Sequence, residues 1–109
     1  MLLPAMLLER LSTSTQLLAN YPNPFNPETW IPFQLSQDTE IGLTIYDIAG
    51  KIIRRLQRGY LMAGSYVEAE KAIYWDGKSE TGETSPSGTY FYQLQTGNYT
   101  ETRKMMILK

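Results

Sequence analysis

The sequence predicts an all-β domain built as a sandwich of two antiparallel sheets. Short apolar runs alternate with turn residues along the chain, which indicates six or seven strands after residue 28. No convincing helical periodicity follows residue 20, and aromatic residues, above all tyrosine, are plentiful. With 109 residues, the chain is long enough for a single core. These observations together favour one β-sandwich.

The N-terminal residues 1–16 are predicted to form an amphipathic segment and a linker, and residues 17–109 the sandwich itself. Four leucines recur at helical spacing, which predicts a short helix or an extended arm: Leu3, Leu7, Leu8 and Leu11. No basic residue precedes this apolar run, and Glu9 and Arg10 interrupt it, so it does not fit a signal peptide. It is also too short to span a bilayer. We interpret the segment as the end of a preceding region of a longer protein; the alternative is a helix on the surface of the domain.

Residues 20–31 predict a rigid lead-in to the domain. Pro22, Pro24 and Pro27 fix their own φ angles and hold the preceding residues out of the helical region. Three large aromatic residues lie among them, namely Tyr21, Phe25 and Trp30. Aromatic side chains of this size usually pack against other groups, so this segment is not expected to be a flexible linker.

The predicted strands follow in order: 29–35, 40–47, 51–56, 65–75, 88–96 and 99–108. The second and third form a hairpin whose turn is capped by Asp47, and irregular spacing in the third indicates a bulge. Tyr90, Tyr92 and Leu94 alternate and are predicted to face the core, as is Trp75. Glu68 and Glu70 are expected on a solvated edge strand.

Composition argues against several functional classes. The sequence contains no histidine and no cysteine, which removes the commonest general base, metal ligand and thiol nucleophile. We therefore predict no enzyme activity, no catalytic residues and no cofactor. A formal net charge of −1 argues against nucleic-acid binding.

Two charged segments have the composition of possible binding sites. The acidic loop 76–83 resembles a calcium loop, but Lys78 occupies the third ligand position, so no metal site is predicted. Arg54, Arg55 and Arg58 form a basic cluster that fits a solvated strand face better than a site for an acidic partner.

Five segments in order resemble a known family: residues 20–27 (NYPNPFNP), 43–51 (LTIYDIAGK), 75–78 (WDGK), 87–94 (SGTYFYQL) and 102–109 (TRKMMILK). The order and spacing are similar to those of the C-terminal immunoglobulin-like modules of large exported bacterial proteins. That family includes the type A sorting domains of the type IX secretion system, and it is similar to the Ig-like domain of the flagellar hook-capping protein. The resemblance covers about residues 17–109.

The resemblance implies an immunoglobulin-like or fibronectin-III-like antiparallel sandwich of about seven strands, preceded by a larger passenger protein. It further implies a secreted or cell-surface protein whose module serves as a sorting or attachment signal. The partner would be a protein of the secretion machinery or a cell-surface acceptor. Residues 59–74 form a longer segment than in simple members of the family, which weakens the assignment to the type IX route. A self-assembly module and a carbohydrate-binding module with an aromatic platform are the alternatives.

Partner recognition is predicted at two segments, the lead-in and the end of the last strand. Both also have a structural explanation, as anchor of the first strand and as last strand. The predicted recognition residues are Tyr21, Asn23, Pro24, Phe25, Asn26, Pro27, Arg103, Lys104, Met105 and Lys109.

Overall fold

A computed structural model describes residues 14–109, all of it strand, turn and loop. The helix predicted within residues 1–11 lies outside the described residues. The strands are β1 (Gln16–Leu17), β2 (Thr29–Ile31), β3 (Phe33–Leu35), β4 (Thr39–Asp47), β5 (Ile52–Leu61), β6 (Gly64–Tyr66), β7 (Ile73–Trp75), β8 (Gly88–Gln95) and β9 (Thr100–Ile107). The predicted boundary between residues 16 and 17 falls inside β1.

One face of the sandwich is a four-stranded antiparallel sheet in the order β5-β4-β8-β9. The predicted hairpin is its β4–β5 pair, and the predicted bulge is confirmed by register shifts between Ile41 and Gly42 and between Ile45 and Tyr46. Asp47 caps the hairpin turn as predicted, because its Oδ1 accepts from the backbone N–H groups of Ala49 and Lys51 at 2.9 Å each.

The other face consists of two small sheets, β1-β3-β6 and β2-β7. The predicted strand 29–35 is interrupted at Pro32, so that β2 pairs with β7 while β3 pairs with β1 and β6. Proline has no N–H to donate to a sheet, which makes it a natural point for the chain to change sheets. The prediction that Glu68 and Glu70 lie on a strand is wrong, because they lie in a turn between β6 and β7.

The core lies between the two faces. Ile41, Leu43 and Ile45 of β4 alternate into it with relative exposures of 0–1%. Tyr90, Tyr92 and Leu94 of β8 also alternate into the core, with relative exposures of 0–4%, as their period-two spacing predicted. The all-β immunoglobulin-like sandwich is therefore confirmed.

Candidate recognition surface

The lead-in is attached to the domain by Phe25, whose side chain is buried. Phe25 forms a short parallel pair with Ile107: its N–H donates to Met106 O, and its carbonyl accepts from Leu108 N–H, both at 3.1 Å. Its ring packs edge-on against Trp75 with the ring centroids 5.7 Å apart. The lead-in thus adds one more short pairing at the end of β9.

A second contact joins the lead-in to β9 through a side chain. The N–H of Met106 donates to Asn23 Oδ1 at 3.1 Å. Next to this bond lies an open cavity of about 180 Å³, lined by Asn23, Pro24, Lys104, Met105 and Met106. We call these five lining residues the terminal groove. It brings together the two segments that the sequence singled out.

The predicted recognition residues divide by exposure. Asn23, Pro24, Asn26, Pro27, Lys104 and Lys109 are exposed, whereas Phe25 and Met105 are 2% and 1% exposed. Because their side chains are surrounded by the core, Phe25 and Met105 support the surface from below and do not offer their side chains to a partner.

Six of the ten predicted residues do not line the terminal groove, and two of these, Arg103 and Tyr21, make contacts elsewhere on the domain. Arg103 is directed towards β1, where its Nη1 donates to Leu17 O at 3.4 Å. Tyr21 stacks on Trp30, and its hydroxyl donates to the carbonyl of Val67. The structure therefore brings the centre of each predicted segment together but separates Arg103 and Tyr21 from that centre.

Buried hydrogen bonds hold the beginning of the lead-in. The hydroxyl of Tyr92 donates to Leu18 O at 2.8 Å and accepts from Asn20 N–H at 3.0 Å. Asn20 Nδ2 donates to Thr29 Oγ1 at 3.0 Å. Burial raises the pKa of Tyr92, so its phenol stays protonated and able to donate at neutral pH.

The end of the lead-in packs against the turn after Trp75. Gly77 has a φ of +81°, and a Cβ at this position would stand only 2.4 Å from Pro27 O. Glycine is therefore required both by the backbone conformation and by the close approach of the lead-in. The indole N–H of Trp75 finds its partner in the same turn, donating to Lys78 O at 2.9 Å.

Met106 is a groove residue that the sequence prediction missed. It is 43% exposed, while its neighbours Met105 and Ile107 are buried. The sequence did contain a signal for Met106. Successive side chains of a strand point to opposite faces, so Met106 faces outwards if Met105 faces the core.

The contacts of the acidic loop after Trp75 hold it against strand β5. Asp76 pairs with Arg54 at 3.2 Å, and Arg54 also donates to Lys78 O at 3.0 Å. In the range 14–109, no three acidic side chains are grouped so that they could hold a metal ion. Over the same residues, no helix is long and apolar enough to cross a membrane.

Residues 19–108 match the family described as "Secretion system C-terminal sorting domain". The chain belongs to this family. The match extends from the residue before Asn20 to the residue after Ile107, so it includes the lead-in, the strands β2 to β9 and the terminal groove.

Solved structures resemble this sorting domain. PorU from Porphyromonas gingivalis, in a structure titled as the dimeric latent form, superposes with a TM-score of 0.64 at 18% identity over 88% of the chain. PorZ from Porphyromonas gingivalis, described as an essential bacterial surface component of the type-IX secretion system, superposes with a TM-score of 0.55 at 13% identity over 90% of the chain. FlgD from P. aeruginosa superposes with a TM-score of 0.52 at 28% identity over 67% of the chain.

The sorting domain spans only 9% of PorU, 12% of PorZ and 54% of FlgD. The PorU and PorZ likenesses, which are below 25% identity, bear on the fold. A comparison with curated protein sequences found no significant match.

Membership of the family establishes the general role. Domains of this family act as secretion signals that are recognised by secretion machinery, and they mark proteins that are secreted or anchored at the cell surface. The family is in general one of sorting signals and not of catalysts.

Proposed function

We propose that this sorting domain is a non-catalytic module preceded by a larger passenger, and that its terminal groove is the surface bound by the partner. The partner is a protein component of the secretion machinery or a cell-surface acceptor. The observation that carries the proposal is the joining of the lead-in to β9, two segments about 80 residues apart, through Asn23 and Phe25.

The chemistry of the groove fits a protein segment. Pro24 and Met106 supply exposed apolar surface at the groove, and Leu108, two residues after Met106, is 62% exposed. Lys104 adds a positive charge at the same place. Such a groove favours a peptide that carries an apolar side chain and a nearby carboxylate, because each group then meets its complement.

The absence of histidine and cysteine from the sequence supports a binding role over a catalytic one. The proposal assigns the groove a shape and a charge that a partner recognises, and it requires no cofactor.

A reporter fusion tests the proposal. Residues 17–109 are fused to the C-terminus of a periplasm-directed fluorescent protein in a bacterium with type IX machinery, and cell fractions and medium are blotted. We expect the fusion to reach the surface or the medium, and the double variant Lys104→Glu, Met106→Ser to remain in the periplasm.

The matched control is Met62→Ser with Arg58→Glu. It makes the same kinds of change at exposed positions on and just after β5 and is expected to be exported normally. Point variants are preferable to deleting residues 103–109, because the deletion also removes Met105 and Ile107 from the core. Circular dichroism establishes that both variants fold.

Retention of the unmodified fusion in the periplasm would contradict the sorting role in that host. Export of the folded groove variant at the normal level would contradict the groove as the recognition surface while leaving the sorting role in place.

Self-association is a second candidate, which follows from the resemblance of the sequence to the Ig-like domain of the flagellar hook-capping protein. Light scattering of the purified chain across a concentration series tests it. A mass that rises above 12.5 kDa with concentration is the expected result if copies assemble. A constant monomer mass would contradict it.

A further inference from the structure

A row of three aromatic rings lies on the outer side of the β2–β7 sheet. Trp30 is paired directly with Tyr74 across the two strands. On its other side, Trp30 exchanges two backbone hydrogen bonds with Tyr21, at 2.8 and 2.9 Å. Side chains of directly opposed residues project from the same face of an antiparallel sheet, so the three rings share one face. We call them the aromatic row.

The opposite face of the same strands belongs to the core. Thr29 and Ile31 of β2 are buried, as are Ile73 and Trp75 of β7. Tyr21 and Tyr74, in contrast, are 36% and 41% exposed. The aromatic row is therefore not needed to fill the interior, and it presents aromatic surface to solvent.

The rings are held in fixed positions. Tyr21 and Trp30 lie nearly parallel at 19° with centroids 6.3 Å apart, and Trp30 and Tyr74 lie 5.5 Å apart. The Tyr21 hydroxyl donates to Val67 O, and the Tyr74 hydroxyl donates to Glu28 Oε1 at 2.6 Å. Because both phenols are tethered, little side-chain freedom remains to be lost on binding.

The surroundings of the aromatic row are acidic. Glu28 is bonded to Tyr74 at one end, and at the other end the Tyr21 hydroxyl is bonded to the carbonyl of Val67, directly before Glu68 in the chain. The faces of aromatic rings are themselves negative, so the carboxylates and the rings attract the same kind of group.

We propose that the aromatic row with Glu28 is a second binding site, which takes an arginine or lysine side chain of a partner protein. The cation lies against the ring faces and pairs with the Glu28 carboxylate. The site is separate from the terminal groove, and the proposal stands or falls independently of the function proposed above.

Binding of acetylated tetra-arginine amide to the full 109-residue chain tests the proposal, followed by ¹H–¹⁵N NMR at low salt. We expect the indole N–H signal of Trp30 to shift on titration. Trp75 serves as an internal reference, because its indole is buried and already bonded to Lys78 O. Added salt is expected to reverse the shift, since exposed charges are screened.

Two variants separate the ring from the charge. Tyr74→Leu removes one ring and is expected to weaken binding by about two- to thirtyfold, the range that a cation–π contact supplies. Glu28→Gln keeps the shape and removes the charge, and it is expected to weaken binding by about two- to fivefold. Glu83→Gln removes an exposed carboxylate from the loop between β7 and β8 and is the matched control, with a change below about twofold.

Three results would overturn the proposal. The first is a Trp30 signal that does not move at millimolar peptide. The second is an equal loss of affinity in Glu83→Gln, which would indicate attraction to net charge alone. The third is a Trp30 shift with neutral cellotetraose but not with tetra-arginine, which would identify a sugar platform instead. Tyr74→Leu is checked for folding by circular dichroism, and Glu28→Gln keeps the test valid if that variant does not fold.

Discussion

The two faces of this sandwich are stabilised in different ways. The four-stranded face has strands of eight to ten residues, which are joined by long hydrogen-bonded ladders. The opposite face has strands of two or three residues, and its lead-in is held by a few separate contacts, among them those of Phe25, Asn23 and Tyr92. A long ladder tolerates the loss of one contact better than a short strand does, because many neighbouring bonds keep the register. We therefore expect single substitutions at the face with the short strands and the lead-in to lower stability the most.

The largest expected effect comes from Trp75→Ala. Trp75 is fully buried and packs edge-on against Phe25 of the lead-in and Tyr90 of the four-stranded sheet, so it joins both faces. Its removal should lower the free energy of unfolding by about 3–5 kcal/mol. Urea denaturation measures the loss, with the exposed neighbour Tyr74→Ala as the control. Similar losses for both variants would contradict the central position of Trp75.

Gly77→Ala should follow, with a loss of about 2–4 kcal/mol from positive φ and the clash with Pro27 O together. Gly82→Ala is the matched control, because Gly82 also has a positive φ, +86°, but nothing stands within 4 Å of the added Cβ. The difference between the two variants isolates the contact with the lead-in. An equal loss at both positions would show that the approach of Pro27 costs nothing.

Tyr92→Phe should lower stability by about 1–3 kcal/mol, since it leaves the buried Asn20 N–H and Leu18 O without their partner. Tyr46→Phe removes a hydroxyl with a single 3.5 Å contact to Gln93 on the four-stranded sheet and should cost less. Thermal denaturation of both variants compares the attachment of the lead-in with a contact inside the four-stranded sheet. A larger loss for Tyr46→Phe would reverse the comparison.

Alkaline pH should destabilise the protein through the same residue. Burial raises the pKa of Tyr92 in the folded state above its ordinary value near 10. Its stabilisation is therefore complete below pH about 10 and is lost as the pH rises towards the folded pKa, with a slope of at most about 1.4 kcal/mol per pH unit. Urea denaturation between pH 8 and 11 measures the slope. A slope that is unchanged in Tyr92→Phe would contradict this origin.

The smallest effect is expected on the four-stranded face. Asp47→Ala removes the acceptor for the turn N–H groups of Ala49 and Lys51 and should cost about 1 kcal/mol. Asp47→Asn retains an acceptor oxygen and is the control, with a smaller loss. Equal losses for the two variants would attribute the effect to charge instead of capping.

Much of the four-stranded face was predictable from the sequence. Alternation placed Tyr90, Tyr92 and Leu94 in the core, and irregular spacing after Lys51 revealed the bulge in β5. Period-two patterns carry this information because one side of each long strand is buried. The short strands were harder to predict. A strand of three residues, such as those on either side of Pro32, has too little periodicity to show which sheet it joins, and the segment around Glu68 has too little to distinguish a strand from a turn.

The candidate site was predictable as two segments but not as one surface. Both segments were identified, and Met106 would have joined them if the alternation around Met105 had been followed outwards. The sequence did not show which residues of the lead-in are buried and which are exposed. Phe25 and Asn26 are neighbours in the same unusual segment, yet Phe25 is buried and Asn26 is exposed. Which of two neighbours turns inwards depends on the strand to which the segment attaches.

The sequence by itself determined the class of fold, the family and the location of the rigid lead-in, because these depend on local chemistry: proline geometry, turn residues and the alternation of apolar side chains. Only the tertiary structure decided that Asn23 meets Met106, that Pro27 rests on Gly77 and that Tyr21, Trp30 and Tyr74 form one row. These contacts join residues far apart in the chain, and their partners are selected by how the two faces pack together and not by any local pattern.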